Sequence, residues 1–297
     1  MKTMHSMVRM ALLTGTLLLA ILPVPAHTQK PVAKGVSVSA NVGVKIWVPA
    51  GSVRIIGWER DSLHVEGTIG TEDTFFFGGA GTGAKFGVDE PLPGRVVQPA
   101  HLTAYVPRGG RVSVRTVSAS IEASDIAGWF NTVSGDLQVS GAAAEVEAEA
   151  IDGSIRLNVT GNRTRARTGS GMLSVGGRIE DLVASTISGP LTVTTAGLAS
   201  GRFESVTGAI IVAVAVDRAA SIDVDNHNGS VELRLPPKVS ADIALTSVAG
   251  SITNLFDKRA PVAGRQGRGQ ELAFVTDPKG ARIVVRTFKG PITLKRP

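Results

Sequence analysis

The chain has 297 residues, a formal net charge of +6 and no cysteine, which excludes disulfide bonds and thiol chemistry. Aromatic residues make up only 4% of it, so side chains that stack on bases are scarce and we expect no nucleic-acid partner. Glycine and β-branched residues are abundant and long helical patterns are missing, which predicts many short strands separated by tight turns.

The first 26 residues have the three parts of a secretory signal peptide. Lys2 and Arg9 give a positive start, residues 11–22 form an uncharged apolar run, and Val24–Ala26 supplies small residues for cleavage. The apolar run is shorter than the roughly 20 residues of a membrane-spanning helix. We predict cleavage after Ala26, export to the periplasm or cell surface, and no transmembrane segment in the mature chain. The alternatives are a buried helix and an uncleaved anchor.

The sequence of residues 27–110 predicts N-terminal β-strands arranged in coils, with an irregular insertion at 71–98. The insertion contains Phe75, Phe76 and Phe77, followed by a glycine-rich run at 78–83. The run lacks the Lys-Ser/Thr of a phosphate-binding loop and no helix pattern follows it, so we interpret it as a flexible loop. The three phenylalanines either cap the open end of the core, which we favour, or form an exposed binding patch.

Residues 111–297 carry an internal repeat with a period of about 18 residues. Its unit is an apolar residue, a small or polar residue, a glycine, any residue and a second apolar residue that begins an alternating run. Clear copies begin at Val133, Ile151, Ile187 and Val206. The glycine suits a corner with positive φ or a close approach of another backbone. The period predicts an all-β fold, a parallel β-solenoid whose coils of about 18 residues bury their apolar faces by stacking.

In-register stacking would place each residue over its equivalent in the next coil. One column would then hold Leu137, Ile155, Leu173, Leu191, Ile210, Val231 and Ile252. Two charged triplets would also become neighbours on adjacent strands: Glu145, Glu147 and Glu149 with Arg163, Arg165 and Arg167. We interpret these six residues as a structural charge ladder, with each contact worth about 0.2–1 kcal/mol. The alternative is an arginine-rich anion site.

The C-terminal end differs in spacing and charge. Residues 257–270 are polar and basic, and we interpret them as an exposed loop insertion before a closing strand near Gly290. Residues 255–297 contain ten Lys and Arg against three Asp and Glu. This basic end could contact anionic lipid or glycan, although a solvated surface is the interpretation we favour.

A metal site at Asp223, Asp225 and His227 is the main candidate for bound ions. The three residues alternate on one predicted strand and share a face, with Ile222 and Val224 pointing inward. The calcium-loop pattern fails at its glycine and at its final glutamate, and a zinc site needs more His or Cys ligands. We therefore expect no metal and no cofactor.

A polysaccharide-cutting enzyme is the main catalytic alternative. Asp136 and Asp152 lie at turns one coil apart, so they could form a carboxylate pair. Acidic residues are common at turns because they hydrogen-bond locally. We therefore expect no enzyme activity.

Several segments together resemble a bacterial domain family of unknown function that is often labelled putative adhesin. They are "GSVRIIGWERDSLHVEG", "LTAYVPRGGRVSVRTVSASIEA", the "VSGDLQV"-type coils and "ARIVVRTFKGPITL". The resemblance covers about residues 36–297. It implies a parallel β-solenoid behind a signal peptide or membrane anchor, and it brings no catalytic residues.

These observations predict a non-catalytic exported protein that binds or scaffolds at the cell envelope. Its partner would be an envelope glycan, a membrane surface or an envelope protein. The alternatives are a carbohydrate-active enzyme on a β-helix and a regulatory partner in envelope sensing.

Overall fold

A computed structural model describes residues 29–89, 97–264 and 267–297, and the described chain is all-β. It contains 23 strands joined into one sheet system. The predicted signal peptide lies outside the described residues. Within them, no helix has the length and apolar character needed to cross a membrane.

The strand bounds follow in chain order. They are β1 Gln29–Ser37, β2 Gly43–Val48, β3 Gly51–Trp58, β4 Ser62–Gly70, β5 Phe75–Ala80, β6 Gly83–Val88, β7 Ala100–Pro107, β8 Arg111–Thr116, β9 Ser120–Ser124, β10 Ala127–Thr132, β11 Leu137–Ala142, β12 Glu145–Ala150, β13 Ile155–Thr168, β14 Leu173–Thr186, β15 Leu191–Ser205, β16 Ile210–Asn226, β17 Val231–Arg234, β18 Ala241–Ser247, β19 Ile252–Asn254, β20 Val262–Ala263, β21 Gln270–Val275, β22 Ala281–Thr287 and β23 Ile292–Lys295.

The strands form two rows, and the long strands β13 to β16 take part in both. The first row has the order β5-β6-β2-β8-β10-β12-β13-β14-β15-β16-β22-β18-β21-β20. The second has the order β1-β4-β7-β3-β9-β11-β13-β14-β15-β16-β17-β23-β19. Pairing is parallel through the middle and antiparallel only near the two ends. The predicted all-β class is confirmed, with a mostly parallel sheet.

Alternating side chains from both rows meet in one continuous apolar core. Leu137 pairs with Ile155, Ile155 with Leu173, and Leu173 with Leu191, which is the register that the repeat predicts. All four side chains are buried. Aliphatic and β-branched residues suit this position because they fill a pleated, half-buried surface. The hydrophobic column therefore sets the register, since a slip by one residue would turn it to solvent.

A column of glycines forms the bend between the first and second rows. A β-carbon at Gly153 would lie 1.9 Å from the carbonyl oxygen of Gly135, and one at Gly189 would lie 1.8 Å from that of Gly171. None of these four glycines has a left-handed φ. Of the two reasons that the sequence offered for glycine here, the close approach of another backbone is the correct one.

Buried polar side chains line the inner side of the same bend. Thr132 Oγ1 accepts a hydrogen bond from the Gly135 amide at 3.0 Å, and Thr168 Oγ1 donates to the Gly153 carbonyl at 3.0 Å. Asn226 Nδ2 donates to a glycine carbonyl in the same column at 2.8 Å. These bonds satisfy backbone groups that the tight turns leave without a strand partner.

The C-terminal strands lie inside the rows and not at their end. Val231 pairs with Ile292, and Ile292 pairs with Ile252, so β23 lies between β17 and β19. In the first row, β22 lies between β16 and β18 in the same way. The prediction that Ile252 stacks directly on Val231 is therefore wrong. The long connection before β22 lets the chain return, and insertion gives β22 and β23 partners on both edges.

The described part of residues 71–98 also differs from the irregular insertion that we expected. Residues 75–88 form an antiparallel hairpin of β5 and β6, which closes one end of the first row. Its two-residue turn contains Gly81 at a φ of +55°, a conformation that tight hairpin turns favour. The flexible-loop interpretation of the glycine-rich run at 78–83 is therefore wrong, because strand pairing across the end of the core orders it. Residues 90–96 lie outside the described chain.

The predicted loop insertion at 257–270 is partly strand. Val262–Ala263 pairs with the start of β21, and both residues are exposed. The strand β21 itself pairs antiparallel with β18. Residues 265 and 266 of this insertion are not described.

Candidate binding sites

The outward face of the first row carries bands of charge. Glu145, Glu147 and Glu149 of β12 lie opposite Arg163, Arg165 and Arg167 of β13, one for one. The register is the one that the repeat period predicts. Opposite charges on directly neighbouring strands favour this pairing by a few tenths of a kcal/mol each at exposed positions.

The ion pairs on this face are not those of a simple ladder. Arg111 bonds Glu145 at 2.7 Å across the intervening strand β10, and Arg163 reaches forward to Asp181 at 3.3 Å. Within the described chain, no ion pair joins the two triplets directly. The hydrogen bond and positive charge of Arg111 hold the pKa of Glu145 below its ordinary value of 4.5.

The three consecutive phenylalanines divide between two faces of β5. Phe75 and Phe77 pack against the core and stack on each other with ring centroids 6.3 Å apart. Phe76 points to the opposite face, where its ring lies against the backbone of Gly87. This division follows from the alternation of side chains along a strand.

Phe76 borders a concave surface of the first row that we call the aromatic–basic recess. It has a volume of about 570 Å³, and its walls come from β2, β5, β6 and β8. Its lining contains three basic side chains, two aromatic rings and one carboxylate, and it consists of Lys45, Ile46, Trp47, Phe76, Lys85, Asp89, Ser113 and Arg115.

Strand register brings the residues of the recess together. Lys45 of β2 pairs with Lys85 of β6, and Trp47 lies between Gly87 of β6 and Arg115 of β8. None of the three cations has a carboxylate within 4.0 Å in the described parts of the chain. Arg115 instead covers the ring of Trp129, 4.9 Å from its centroid.

A second surface, which we call the apolar ridge, runs along the bend that contains the glycine column. The first residue of each repeat unit points outward there, and its side chain is between 38% and 61% exposed. In spatial order the ridge consists of Val117, Val133, Ile151, Ile187, Val206, Phe288 and Val248.

Backbone hydrogen bonds hold the ridge residues in line. The Val133 amide donates to the Val117 carbonyl at 3.2 Å, and the Ile151 amide donates to the Val133 carbonyl at 3.2 Å. Gly169 follows Ile151 on the next strand level, so the ridge has a gap there. His227 occupies the level before Phe288, and its ring stacks on that of Phe288.

A groove lies beside the gap in the ridge, and we call it the corner groove. It has a volume of about 790 Å³. Its lining includes ridge residues and charged residues, namely Ile151, Ile187, Val206, Phe288, Val248, Arg167, Glu204, Asp225 and Arg286. The groove therefore follows the ridge from Ile151 to Val248 and has charged side chains along it.

The two aspartates of the candidate metal site lie beside an arginine side chain. Arg286 lies 3.9 Å from Asp223 and 3.5 Å from Asp225, so it neutralises both carboxylates. The His227 ring stacks on Phe288 with centroids 5.0 Å apart. Within the described ranges, no group of three His, Cys, Asp or Glu side chains could hold a metal ion.

The candidate catalytic carboxylates are engaged in local bonds. Asp136 Oδ1 accepts a hydrogen bond from the Ser154 amide at 3.0 Å, and Asp152 Oδ1 accepts one from Ser170 Oγ at 3.0 Å. Each bond links one bend to the next along the stack. Both aspartates therefore have a structural use that explains their position.

Sequence reasoning missed both the ridge and most of the recess. The apolar first residue of the repeat unit was visible, but nothing in its pattern showed that it points outward. The alternation of Lys45 and Trp47 was also visible. Their pairing with β6 was not, because β6 lies in a segment expected to be irregular.

Comparisons with known proteins give matches among solved structures only. No family model matches the sequence, and no curated protein matches it. A putative lipid binding protein from Parabacteroides distasonis matches with a TM-score of 0.52 at 11% identity, over 89% of this chain and 96% of that chain. This likeness shows a shared fold.

Two putative adhesins are also similar. The one from Bacteroides fragilis has a TM-score of 0.45 at 10% identity, over 90% of this chain and 98% of that chain. The one from Parabacteroides merdae has a TM-score of 0.43 at 10% identity, over 89% of this chain and 96% of that chain. Solved structures similar to this chain thus include proteins with the name of the family that the sequence resembles.

Proposed function

We propose that the protein is a non-catalytic scaffold of the cell envelope that rests on a lipid surface through its apolar ridge. In this proposal the two strand rows are sides of a parallel β-solenoid with coils of about 18 residues. Export rests on the signal-peptide pattern of residues 1–26.

The apolar ridge is the observation that carries the proposal. It spans nine strand levels, from Val117 to Val248, which at a spacing of about 4.8 Å gives a length of about 40 Å. Exposed apolar side chains aligned in this way mark an interaction site, because single scattered residues would not align. A line of aliphatic side chains suits a lipid surface, which needs burial of apolar groups and no directional bonding.

Two further observations support a binding role. The carboxylates that could have served catalysis at Asp136 and Asp152 hold neighbouring bends together. The matched structure with a TM-score of 0.52 belongs to a protein described as a putative lipid binding protein. That description concerns the other protein, and it agrees with the surface we propose to be used here.

Vesicle flotation of the purified protein tests the proposal. We expect binding to phosphatidylglycerol and phosphatidylcholine vesicles, and loss of binding when Ile187→Ser and Val206→Ser are combined. The matched control combines Leu255→Ser with Val262→Ser, two changes of comparably exposed apolar residues away from the ridge. The control should bind as the unchanged protein does.

Failure of the unchanged protein to float with either vesicle would overturn the lipid proposal. So would equal loss in the ridge variant and the control. Crosslinking to an envelope protein through the ridge, without vesicle binding, would instead favour the regulatory role.

A further inference from the structure

We propose that the aromatic–basic recess binds an acidic saccharide, one that carries a carboxylate or phosphate group on its sugar rings. The recess lies on the first row, on β2, β5, β6 and β8, and the apolar ridge lies on the bend. The inference rests on the proposed function, since it assumes a protein that binds, and it adds a second ligand at a separate surface.

The recess carries an excess of positive charge, since three cations and one carboxylate, Asp89, line it. Lys45 and Lys85 occupy directly paired positions on parallel strands, where like charges destabilise the pairing. Some basic side chains elsewhere on this face do have acidic partners, as Arg111 has Glu145 and Arg163 has Asp181. An anionic ligand would supply the partner that the described chain does not give the two lysines.

Aromatic side chains also line the recess. Trp47 and Phe76 border the same concavity as the two lysines. Their rings offer flat apolar faces on which the C–H groups of a sugar ring can pack, while the lysines meet its charged substituent. A volume of about 570 Å³ is within the usual range of small-ligand pockets, roughly 300–1,000 Å³.

The limits of the basic surface favour a short ligand over nucleic acid. Single-stranded nucleic acid needs a basic track with repeated stacking positions. Here the basic group of the recess ends at β8, and β12 presents Glu145 and Glu147 before the next arginines on β13. A long polyanion following the row would meet that acidic band, whereas a saccharide of a few units would not.

Calorimetric titration of the purified protein tests the inference. The probes are trisaccharides bearing uronate, sialate or phosphate, each with a neutral counterpart, together with a short oligothymidylate. We expect at least one acidic trisaccharide to bind with one-to-one stoichiometry, to change tryptophan fluorescence through Trp47, and to weaken as salt rises. The neutral counterpart should not bind.

Two double variants locate the site. Lys45→Gln with Lys85→Gln should weaken binding by about tenfold or more, because two charge-assisted bonds are lost. Arg165→Gln with Arg167→Gln removes two exposed cations from the same face outside the recess, and it should leave binding unchanged. The lysine variant should be at least as stable as the unchanged protein, which separates a binding role from a structural one.

The inference is overturned if no acidic trisaccharide binds, if the neutral counterparts bind equally, if the lysine variant binds normally, or if oligothymidylate binds more tightly. Vesicle flotation distinguishes this failure from failure of the proposed function. The lysine variant should still float with vesicles, and the ridge variant should still bind the trisaccharide.

Discussion

Gly189 lies so close to Gly171 on the next strand level that a β-carbon at position 189 would be 1.8 Å from the Gly171 carbonyl oxygen. Real β-carbons do not approach this closely, so Gly189→Ala must displace backbone in the bend. We expect a loss of about 1–3 kcal/mol or more in the free energy of unfolding, the range of overpacked interiors. Urea unfolding measures it.

The matched control for that change is Gly78→Ala. A β-carbon there would meet no atom within 4 Å, and Gly78 also lies in a strand. We expect little change in stability. Equal destabilisation by both substitutions would contradict the close-approach explanation.

Two buried threonines of β13 give opposite expectations. Thr168 Oγ1 donates to the Gly153 carbonyl, so Thr168→Val should cost about 1–3 kcal/mol by leaving that buried bond unmade. Thr164 Oγ1 is buried without a hydrogen-bond partner, so Thr164→Val should be neutral or stabilising. Chemical unfolding of both variants compares them. The explanation fails if Thr164→Val is the more damaging change.

The inserted strand β23 should make stability depend on pH through Glu232. The hydrogen bond from Lys295 holds the pKa of Glu232 below its ordinary value of 4.5, with Arg234 adding to the effect. The stabilisation is therefore complete above about pH 4.5 and is lost as the pH falls through the lower folded value. Unfolding at neutral and acidic pH should show a smaller pH dependence for Glu232→Gln. An unchanged dependence would contradict the assignment.

Removal of one side chain from β23 should weaken strands on both of its sides. Ile292 is buried, and Ile292→Ala should cost about 2–5 kcal/mol. Hydrogen exchange should accelerate in both β17 and β19, because each pairs with β23. Acceleration in β19 alone would favour stacking in chain order. Ile187→Ala, at an exposed ridge position, is the matched control and should have a small effect.

The repeat made much of the fold predictable. Its period placed Leu137 on Ile155 and Glu147 opposite Arg165, because the hydrophobic column and the charges obey the same spacing. The order of the C-terminal strands was not predictable this way. Spacing shows which residues are equivalent, but it cannot show that Ile292 enters between two other strands, since that depends on where a long connection leads.

The binding surfaces were less predictable than the fold. Phe76 was a candidate because it belongs to a run of three phenylalanines. Only the strand pairing shows that it points to the opposite face from Phe75 and Phe77. Lys45 and Lys85 are distant in the chain, and their pairing depends on a hairpin whose glycines resembled a loop. Local sequence patterns carry no information about such contacts until the partner strand is known.

The insertion of β22 and β23 constrains the order in which the C-terminal strands can fold into place. These strands leave the ribosome after β18 to β21, yet they lie between those strands and the ones made before them. The segment from β18 to β21 therefore cannot reach its final place until β22 and β23 have been made. The contacts involved join residues far apart in the chain, which slows their formation. A chain that stopped before β22 would lack one strand from the interior of each row, and the strands that end the rows would still be present.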